Sequence, residues 1–443
     1  MKKPIRVVAL IVGLAGALLA GGTLLPTSGD DRPSDAETSD RGTGRLLAPA
    51  VDPRGLDTTV TTLEERVEAI PEDWRSWASL GLAYLQKNRL TADPTFYLKA
   101  EEALDRSLEL NDTENFQSML GLGALALARH DFAAGLEWGR RAKVVNPYNA
   151  QVRGVIGDAL VELGRYEAAG RAFQEMIDLR PDLSSYARVS YFRELHGDVP
   201  GAIEAMTSAL DTTGSGEDAA WAAYQLGELY FTSDRVAEAK HEFERGASLA
   251  PDYFLPTVGL AKVAAARGNF GLATRLLSEV VDRYPAPEYV VLLGDIYARA
   301  GRPEEAEIQY ELVRAIDKLY KANGVNTDLE TALFDADHGV NLDDALRSAR
   351  AEYQRRQSIH VADALAWTLY AKERYREAKH FSRISLRLGT RDARLLFHAG
   401  MIDWRLGDDA AARRHLASAL SINPNFSFVQ DELARRTVAR LGG

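Results

Sequence analysis

Apolar residues at helical spacing recur along most of the chain, and residues 219–253 show the pattern clearly. Leu226 and Tyr230 share one face of a first predicted helix, and Ala239 and Phe243 share one face of a second. A short polar turn separates the two faces. The stretch therefore predicts two amphipathic helices that pack against each other.

The small residue of the second helix recurs at a regular period. Successive positions lie 33 to 39 residues apart. They are Ala100, Gly135, Ala169, Ala202, Ala239, Ala273, Ala306, Ala345, Ala378 and Ala412. Because one helix pair cannot bury its apolar face alone, the period predicts a stack of about ten pairs rather than a globule.

The unit at 219–253 resembles the tetratricopeptide repeat, whose signature is a Trp, a Leu-Gly pair, a Tyr, an Ala, a Phe and a closing Pro. The matching residues are Trp221, Leu226, Gly227, Tyr230, Ala239, Phe243 and Pro251. The resemblance implies an all-α, right-handed solenoid of about ten helix pairs with capping helices at both ends. It also implies a concave face, formed by the first helices, where such arrays bind their partners.

Three C-terminal segments, ALFDADHG, ADALAWTLY and LLFHAGMI, extend the resemblance. They are similar to a block that recurs in some exported bacterial repeat proteins of this type. This similarity does not by itself indicate any particular activity.

The N-terminus carries an export pattern. Lys2, Lys3 and Arg6 precede an apolar run, so residues 1–25 are predicted to be a signal peptide or an uncleaved signal anchor. Residues 26–57 are rich in Pro, Gly, Ser, Thr and Asp and are predicted to be a flexible linker. We therefore expect an extracytoplasmic protein that is membrane-anchored by its N-terminal helix or secreted after cleavage.

The remainder divides into two parts of one repeat array. Residues 58–322 are predicted to form a capping helix and about seven repeats. A helix-stop signal at Asn323 and Gly324 then separates residues 323–443, which are predicted to form about three repeats and a second capping helix.

Composition and motifs exclude several classes of function. The net charge is −11 and no basic stripe is present, which argues against a nucleic-acid partner. The chain has no Cys, so thiol chemistry and disulfides are excluded. No catalytic constellation or cofactor motif is found, and we predict a non-enzyme without a cofactor.

Large side chains on the projected concave face of the last three repeats are the predicted partner-binding residues. Aromatic and Arg side chains are the usual anchors of binding surfaces. The candidates are Phe334, Trp367, Tyr370, Arg394, Phe397, Met401, Trp404 and Arg405. Among earlier repeats only the fifth is comparable, with Trp221, Tyr224 and Phe231. The predicted function is a protein–protein interaction scaffold of the cell envelope that binds a partner or an extended peptide in the groove.

Five polar residues on the same projected surface support an alternative. Imidazole and carboxylate groups are ordinary ligands of divalent metals. The residues are Asp337, His338, His360, Asp363 and His398, and no short ligand motif connects them. A metal-binding accessory protein is therefore one alternative function, and a structural spacer without a partner is another.

Overall fold

The computed structural model describes residues 53–91, 93–214 and 216–442, and within these ranges it contains twenty-two α-helices and no strand. In chain order the helices are α1 (Pro53–Ala69), α2 (Trp74–Thr91), α3 (Thr95–Leu110), α4 (Phe116–Ala128), α5 (Phe132–Val145), α6 (Ala150–Glu162), α7 (Tyr166–Leu179), α8 (Leu183–Leu195), α9 (Val199–Asp211), α10 (Glu217–Thr232), α11 (Val236–Leu249), α12 (Leu255–Ala266), α13 (Phe270–Arg283), α14 (Pro287–Arg299), α15 (Pro303–Ala322), α16 (Asp328–His338), α17 (Leu342–Arg355), α18 (Ile359–Ala371), α19 (Tyr375–Ser385), α20 (Ala393–Arg405), α21 (Asp409–Ile422) and α22 (Asp431–Gly442).

Consecutive helices pack in pairs from α2–α3 to α20–α21, and most pairs pack closely on the next. The seventh and eighth pairs meet through side chains such as Tyr310, whose ring lies 5.6 Å from that of Phe334. We number these ten pairs as repeats one to ten. Helix α1 covers the first pair and α22 follows the last. The predicted all-α solenoid of about ten helix pairs with a helix at each end is therefore confirmed.

The periodic small residues are buried within the helix pairs, where side chains pack closely. All nine periodic alanines are at most 2% exposed. In repeat five, a Cβ added to Gly227 would lie 2.4 Å from Cε1 of Phe243, so the ring packs directly against the glycine backbone. Side chains larger than Gly or Ala at these positions would separate the two helices of a pair.

The N-terminal boundary differs from the expected one. Helix α1 begins at Pro53, so the last residues of the predicted linker, 26–57, belong to this helix. Leu56 and Val60 explain the difference, because their side chains are only 2% and 6% exposed in the core. The predicted signal or anchor, residues 1–25, lies outside the described residues. Within the described ranges, no helix is both long and apolar enough to cross a membrane.

The C-terminal repeats lie against the edge of repeats two to four. Beside repeat two, the Asn326 N–H donates to the Arg129 carbonyl at 3.1 Å, and His130 Nδ1 lies 2.7 Å from the Asn326 carbonyl oxygen. Beside repeat three, the Ile359 N–H donates to the Tyr166 hydroxyl at 2.8 Å. The chain therefore returns to its own earlier turns.

A buried ion pair and apolar contacts continue this line. Arg356 pairs with Glu162, and both side chains are at most 5% exposed. Leu395 packs into the apolar cluster built mainly by repeats two to four. We call this line of contacts between residues 129–197 and residues 326–395 the seam.

The seam keeps a constant register. Its hydrogen-bonded partners are separated by 193 to 197 residues along the chain. Since one unit is about 34 residues long, the superhelix meets itself after about six units. The first helices of the repeats consequently surround an interior space.

Candidate partner-binding site inside the superhelix

A cavity of about 1470 Å³ occupies the interior of the superhelix. Every repeat from the first to the tenth contributes side chains to its lining. A volume of this size exceeds that of most small-molecule pockets, which span about 300–1,000 Å³. The interior can therefore hold a segment of polypeptide.

Six aromatic side chains from repeats five to seven and the loops between them form one side of the cavity. We call this group the aromatic wall, and it consists of Trp221, Tyr224, Tyr253, Phe254, Tyr284 and Tyr289. The Phe254 ring stacks on that of Tyr284 at 4.2 Å and meets that of Tyr289 edge-on at 5.6 Å. Burial raises the pKa of Tyr224 and of Tyr289 well above the usual value, so both hydroxyls stay protonated at neutral pH.

Carboxylates surround the aromatic wall. Along the whole lining, Asp and Glu outnumber Lys and Arg by about two to one. Glu228 on α10 forms an ion pair with Lys262 on α12 through one oxygen. Its other oxygen, Oε1, is buried and has no hydrogen-bond partner among the described residues. This part of the cavity therefore favours a guest that is cationic or rich in hydrogen-bond donors.

Two titratable side chains, Glu194 and His360, lie where the seam borders the cavity. Burial, together with the nearby carboxylates of Asp392 and Glu228, raises the pKa of Glu194 to about 7. Burial lowers the pKa of His360, and neither of its ring nitrogens has a partner among the described residues. At neutral pH the imidazole is uncharged and can still donate and accept one hydrogen bond each.

Arg394, one of the predicted partner-binding residues, lines the cavity. Burial opposes its charge, but the carboxylates of Asp392, Asp363 and Asp337 hold the pKa of its guanidinium above the ordinary value. Phe334 also lines the cavity, although it is only 7% exposed. These two predicted residues therefore reach the interior.

The predicted open groove of the last three repeats is not present. Phe397, Met401 and Trp367 are 0%, 1% and 5% exposed, and they form a core rather than a surface. The C-terminal segment covers this face: the Phe426 ring lies 5.1 Å from that of Phe397. The projection from sequence assumed that the concave face was empty, and the folded chain fills it.

Contacts of the same segment continue toward repeat seven. Gln430 Nε2 donates to Asp337 Oδ1 at 2.7 Å, and Asp431 pairs with Arg299 at 2.8 Å. The start of helix α22 therefore contacts repeats seven and eight as well as the last repeat.

The other predicted partner-binding residues lie around the same core. Tyr370 stacks on Trp367 at 4.5 Å, and Trp404 is half-buried against the core. Arg405 is exposed, with its guanidinium 4.7 Å from the ring centroid of Tyr375. These three side chains do not line the cavity.

The predicted metal site is not assembled. His398 Nδ1 lies 2.9 Å from Asp363 Oδ2, whereas His338 Nε2 lies 3.2 Å from Asp295. Asp337 accepts hydrogen bonds from Trp367 and Gln430. In the part of the chain that the structure describes, no group of three or more His, Asp or Glu is placed to hold a metal ion. The five predicted ligands are therefore not brought together: His398 pairs with Asp363, and neither ring nitrogen of His360 has a partner among the described residues.

Four residues of the aromatic wall were missed from the sequence. Tyr253 and Phe254 follow the closing Pro251, and Tyr284 and Tyr289 flank the start of repeat seven. They lie in or beside the loops between repeats, so a projection of the first helices alone does not find them. An aromatic residue within two positions of Pro251 and of Pro285 was the available signal.

Comparison with known proteins agrees with this architecture. Ten stacked helix pairs around an interior cavity define a helical repeat protein of the solenoid class. Family models of the tetratricopeptide repeat match residues 150–183, 222–253, 258–318 and 393–426. Tetratricopeptide repeat protein 36 of Danio rerio is 31% identical over 134 residues, which are 30% of this chain and 69% of that protein. The chain belongs to the tetratricopeptide repeat family.

Two other similarities cover different shares of the molecules. Anaphase-promoting complex subunit 7 of Arabidopsis thaliana is 26% identical over 167 residues, which are 38% of this chain but only 29% of that protein. A crystal structure of a tetratricopeptide repeat protein from Parabacteroides merdae is 16% identical with a TM-score of 0.40, covering 54% of this chain and 97% of that one. Proteins of this family generally act as protein–protein interaction scaffolds and are typically non-catalytic.

Proposed function

We propose that this protein is a noncovalent scaffold that binds an extended segment of a partner protein inside the superhelix. The observation that carries the proposal is the cavity of about 1470 Å³ to which every repeat contributes. An extended segment of eight residues is about 27 Å long. Such a segment would contact several repeats at once, which suits a cavity lined by a few side chains from each repeat.

Rigid aromatic side chains favour recognition at the aromatic wall rather than in the last three repeats. Tyr253 and Tyr289 are half-buried and line the cavity, so a guest can contact their rings without unfolding a core. Aromatic residues with few rotatable bonds give up little conformational entropy when they bind. The binding site of the proposal is therefore the interior face of repeats five to seven.

We also propose that binding takes place on the outer side of a membrane, in the cell envelope. The support is the basic residues Lys2, Lys3 and Arg6 before an apolar run. A fusion of the full chain to alkaline phosphatase, which needs an oxidising compartment to fold, tests the location. Phosphatase activity in intact cells supports export, and an inactive fusion that is stable in the cytoplasm contradicts it.

The proposed function is tested by affinity capture from envelope extract with the full chain as bait. The variant bait carries Tyr253→Ala and Tyr289→Ala, and the matched control carries Tyr148→Ala, because Tyr148 is 81% exposed on the outer surface. A partner that the native and control baits retain and the variant loses supports binding in the cavity. Equal capture by all three baits contradicts the cavity site, and no reproducible partner at all favours the structural spacer.

A further inference from the structure

Two residues of α10 that line the cavity, Trp221 and Glu228, each carry a buried polar atom without a hydrogen-bond partner among the described residues. The Trp221 side chain is buried at 2% exposure, and its indole Nε1–H has no acceptor among the described residues. On the same helix, Glu228 Oε1 has no donor. Both residues belong to the cavity lining. Buried polar atoms in folded proteins are nearly always hydrogen-bonded, so these two atoms indicate groups that a guest would supply.

One of the two atoms is a hydrogen-bond donor and the other is an acceptor, and their residues lie on the same face of α10. Trp221 needs a carbonyl oxygen, and Glu228 needs an N–H group. The residues are seven positions apart, two helical turns or about 10.5 Å along the helix axis. Three residues of extended chain span about 10 Å and offer both a backbone C=O and a backbone N–H. The spacing therefore suits an extended polypeptide laid along α10.

The negative charge around this face of α10 favours a polypeptide with basic side chains. Carboxylates of Asp218 and Asp252 line the cavity beside the aromatic wall, and Lys262 neutralises only part of Glu228. Lys and Arg side chains bind both to carboxylates and to the faces of aromatic rings. An acidic segment would instead bring like charges together in a confined space.

We propose that the aromatic wall and α10 bind an extended, Lys- or Arg-bearing segment of a partner protein, with Trp221 and Glu228 hydrogen-bonding its backbone or basic side chains. The proposal rests on the proposed scaffold function and specifies the chemistry of the guest. The guest is a protein segment rather than a small polycation, because the lining also requires a carbonyl acceptor opposite Trp221.

A pair of labelled peptides tests the proposal with the full chain. The probe is a fluorescein-labelled decapeptide of alternating Lys and Val, and the matched peptide replaces every Lys with Glu. Fluorescence anisotropy at low and at physiological salt measures each dissociation constant. We expect the basic peptide to bind at least tenfold more tightly than the acidic one, with a difference that shrinks as salt is added.

Three variants connect the binding to the proposed residues. Glu228→Gln keeps the shape of the side chain and should weaken the basic peptide about tenfold, the usual effect of losing one charge-assisted hydrogen bond. The control is Glu244→Gln on α11 of the same repeat, whose side chain is 53% exposed, and it should change binding less than twofold. Trp221→Phe should weaken binding severalfold without changing the charge. If Glu228→Gln lowers the melting temperature by leaving Lys262 unpaired, Asp252→Asn tests the charge at an exposed edge of the cavity and should weaken binding by a smaller factor.

The outcomes separate this proposal from the scaffold function. Equal binding of the two peptides, or an unchanged dissociation constant for both Glu228→Gln and Asp252→Asn, overturns the cationic guest. Complete displacement of the basic peptide by spermidine at equal charge concentration overturns the polypeptide guest in favour of a polyamine. Either result leaves a cavity-dependent capture partner unaffected, whereas failure of capture contradicts the scaffold function itself.

Discussion

Replacement of Arg356 by Gln tests whether the seam stabilises the closed superhelix. The Arg356 side chain is 4% exposed and forms ion pairs with Glu162 of repeat three and Glu352 of repeat eight. Its guanidinium also lies 4.5 Å from the ring centroid of Phe132 in repeat two. One side chain therefore connects repeat eight with the neighbouring repeats two and three, which are distant from it in sequence.

The size of the effect follows from burial. Removing one partner of a buried ion pair leaves the opposite charge without compensation and costs about 3–5 kcal/mol of the free energy of unfolding. The neighbouring Arg355 is a matched control, because it also pairs with Glu352 but its side chain is 49% exposed. An exposed pair contributes about 0–1 kcal/mol, so Arg355→Gln should be nearly silent.

Urea unfolding and amide hydrogen exchange measure the two effects. Arg356→Gln should lower the unfolding free energy by about 3 kcal/mol more than Arg355→Gln does. It should also speed exchange of the Ile359 N–H, which donates to the Tyr166 hydroxyl across the seam. The reasoning is refuted if the two variants are equally stable and the Ile359 amide remains protected in both.

Three further changes have expected outcomes. Phe397→Ala should cost about 3–5 kcal/mol in urea unfolding, since the ring is fully buried; a loss of binding at unchanged stability would contradict a core role. Gly227→Ala should lower the melting temperature, because its Cβ would overlap a buried ring, whereas Gly271→Ala, with nothing within 4 Å, should be neutral or slightly stabilising. The pKa of Glu194 is raised to about 7 in the folded state, whereas in the unfolded chain this carboxyl ionises near its ordinary pKa of 4.5, so stability should fall as pH rises between these two values. Glu194→Gln should flatten this pH dependence of the urea midpoint, and Glu204→Gln, with a side chain 78% exposed, should leave it unchanged.

The array was predictable because its signals are local. The periodic alanines and their glycine and aromatic partners lie within about 34 residues of one another, and each determines the packing of one helix pair. Helix α15 also ends at Ala322, directly before the stop signal at Asn323 and Gly324. Local side-chain chemistry was therefore sufficient to predict the number of pairs.

The candidate site was not predictable in the same way because it depends on contacts between distant repeats. Arg356 reads as an ordinary surface residue in its own repeat, and only the superhelical closure buries it against Glu162. Phe397 and Trp404 were predicted to be groove residues because no local sequence pattern indicates that the C-terminal segment folds back over them. Superhelical curvature accumulates from small rotations at every repeat, and a helical projection contains no information on that sum.

The seam also changes the order in which the chain can fold. Linear repeat arrays make only neighbouring contacts, so they can nucleate anywhere and fold as each unit is synthesised. Here the partners are 193 to 197 residues apart, which means that repeats two to four cannot complete their packing until repeats eight to ten exist. Contacts at such separation slow folding and make it more cooperative. We expect a truncation after repeat seven to retain helices yet leave the apolar edge of repeats two to four open to aggregation, a vulnerability that the full-length chain meets only during its synthesis.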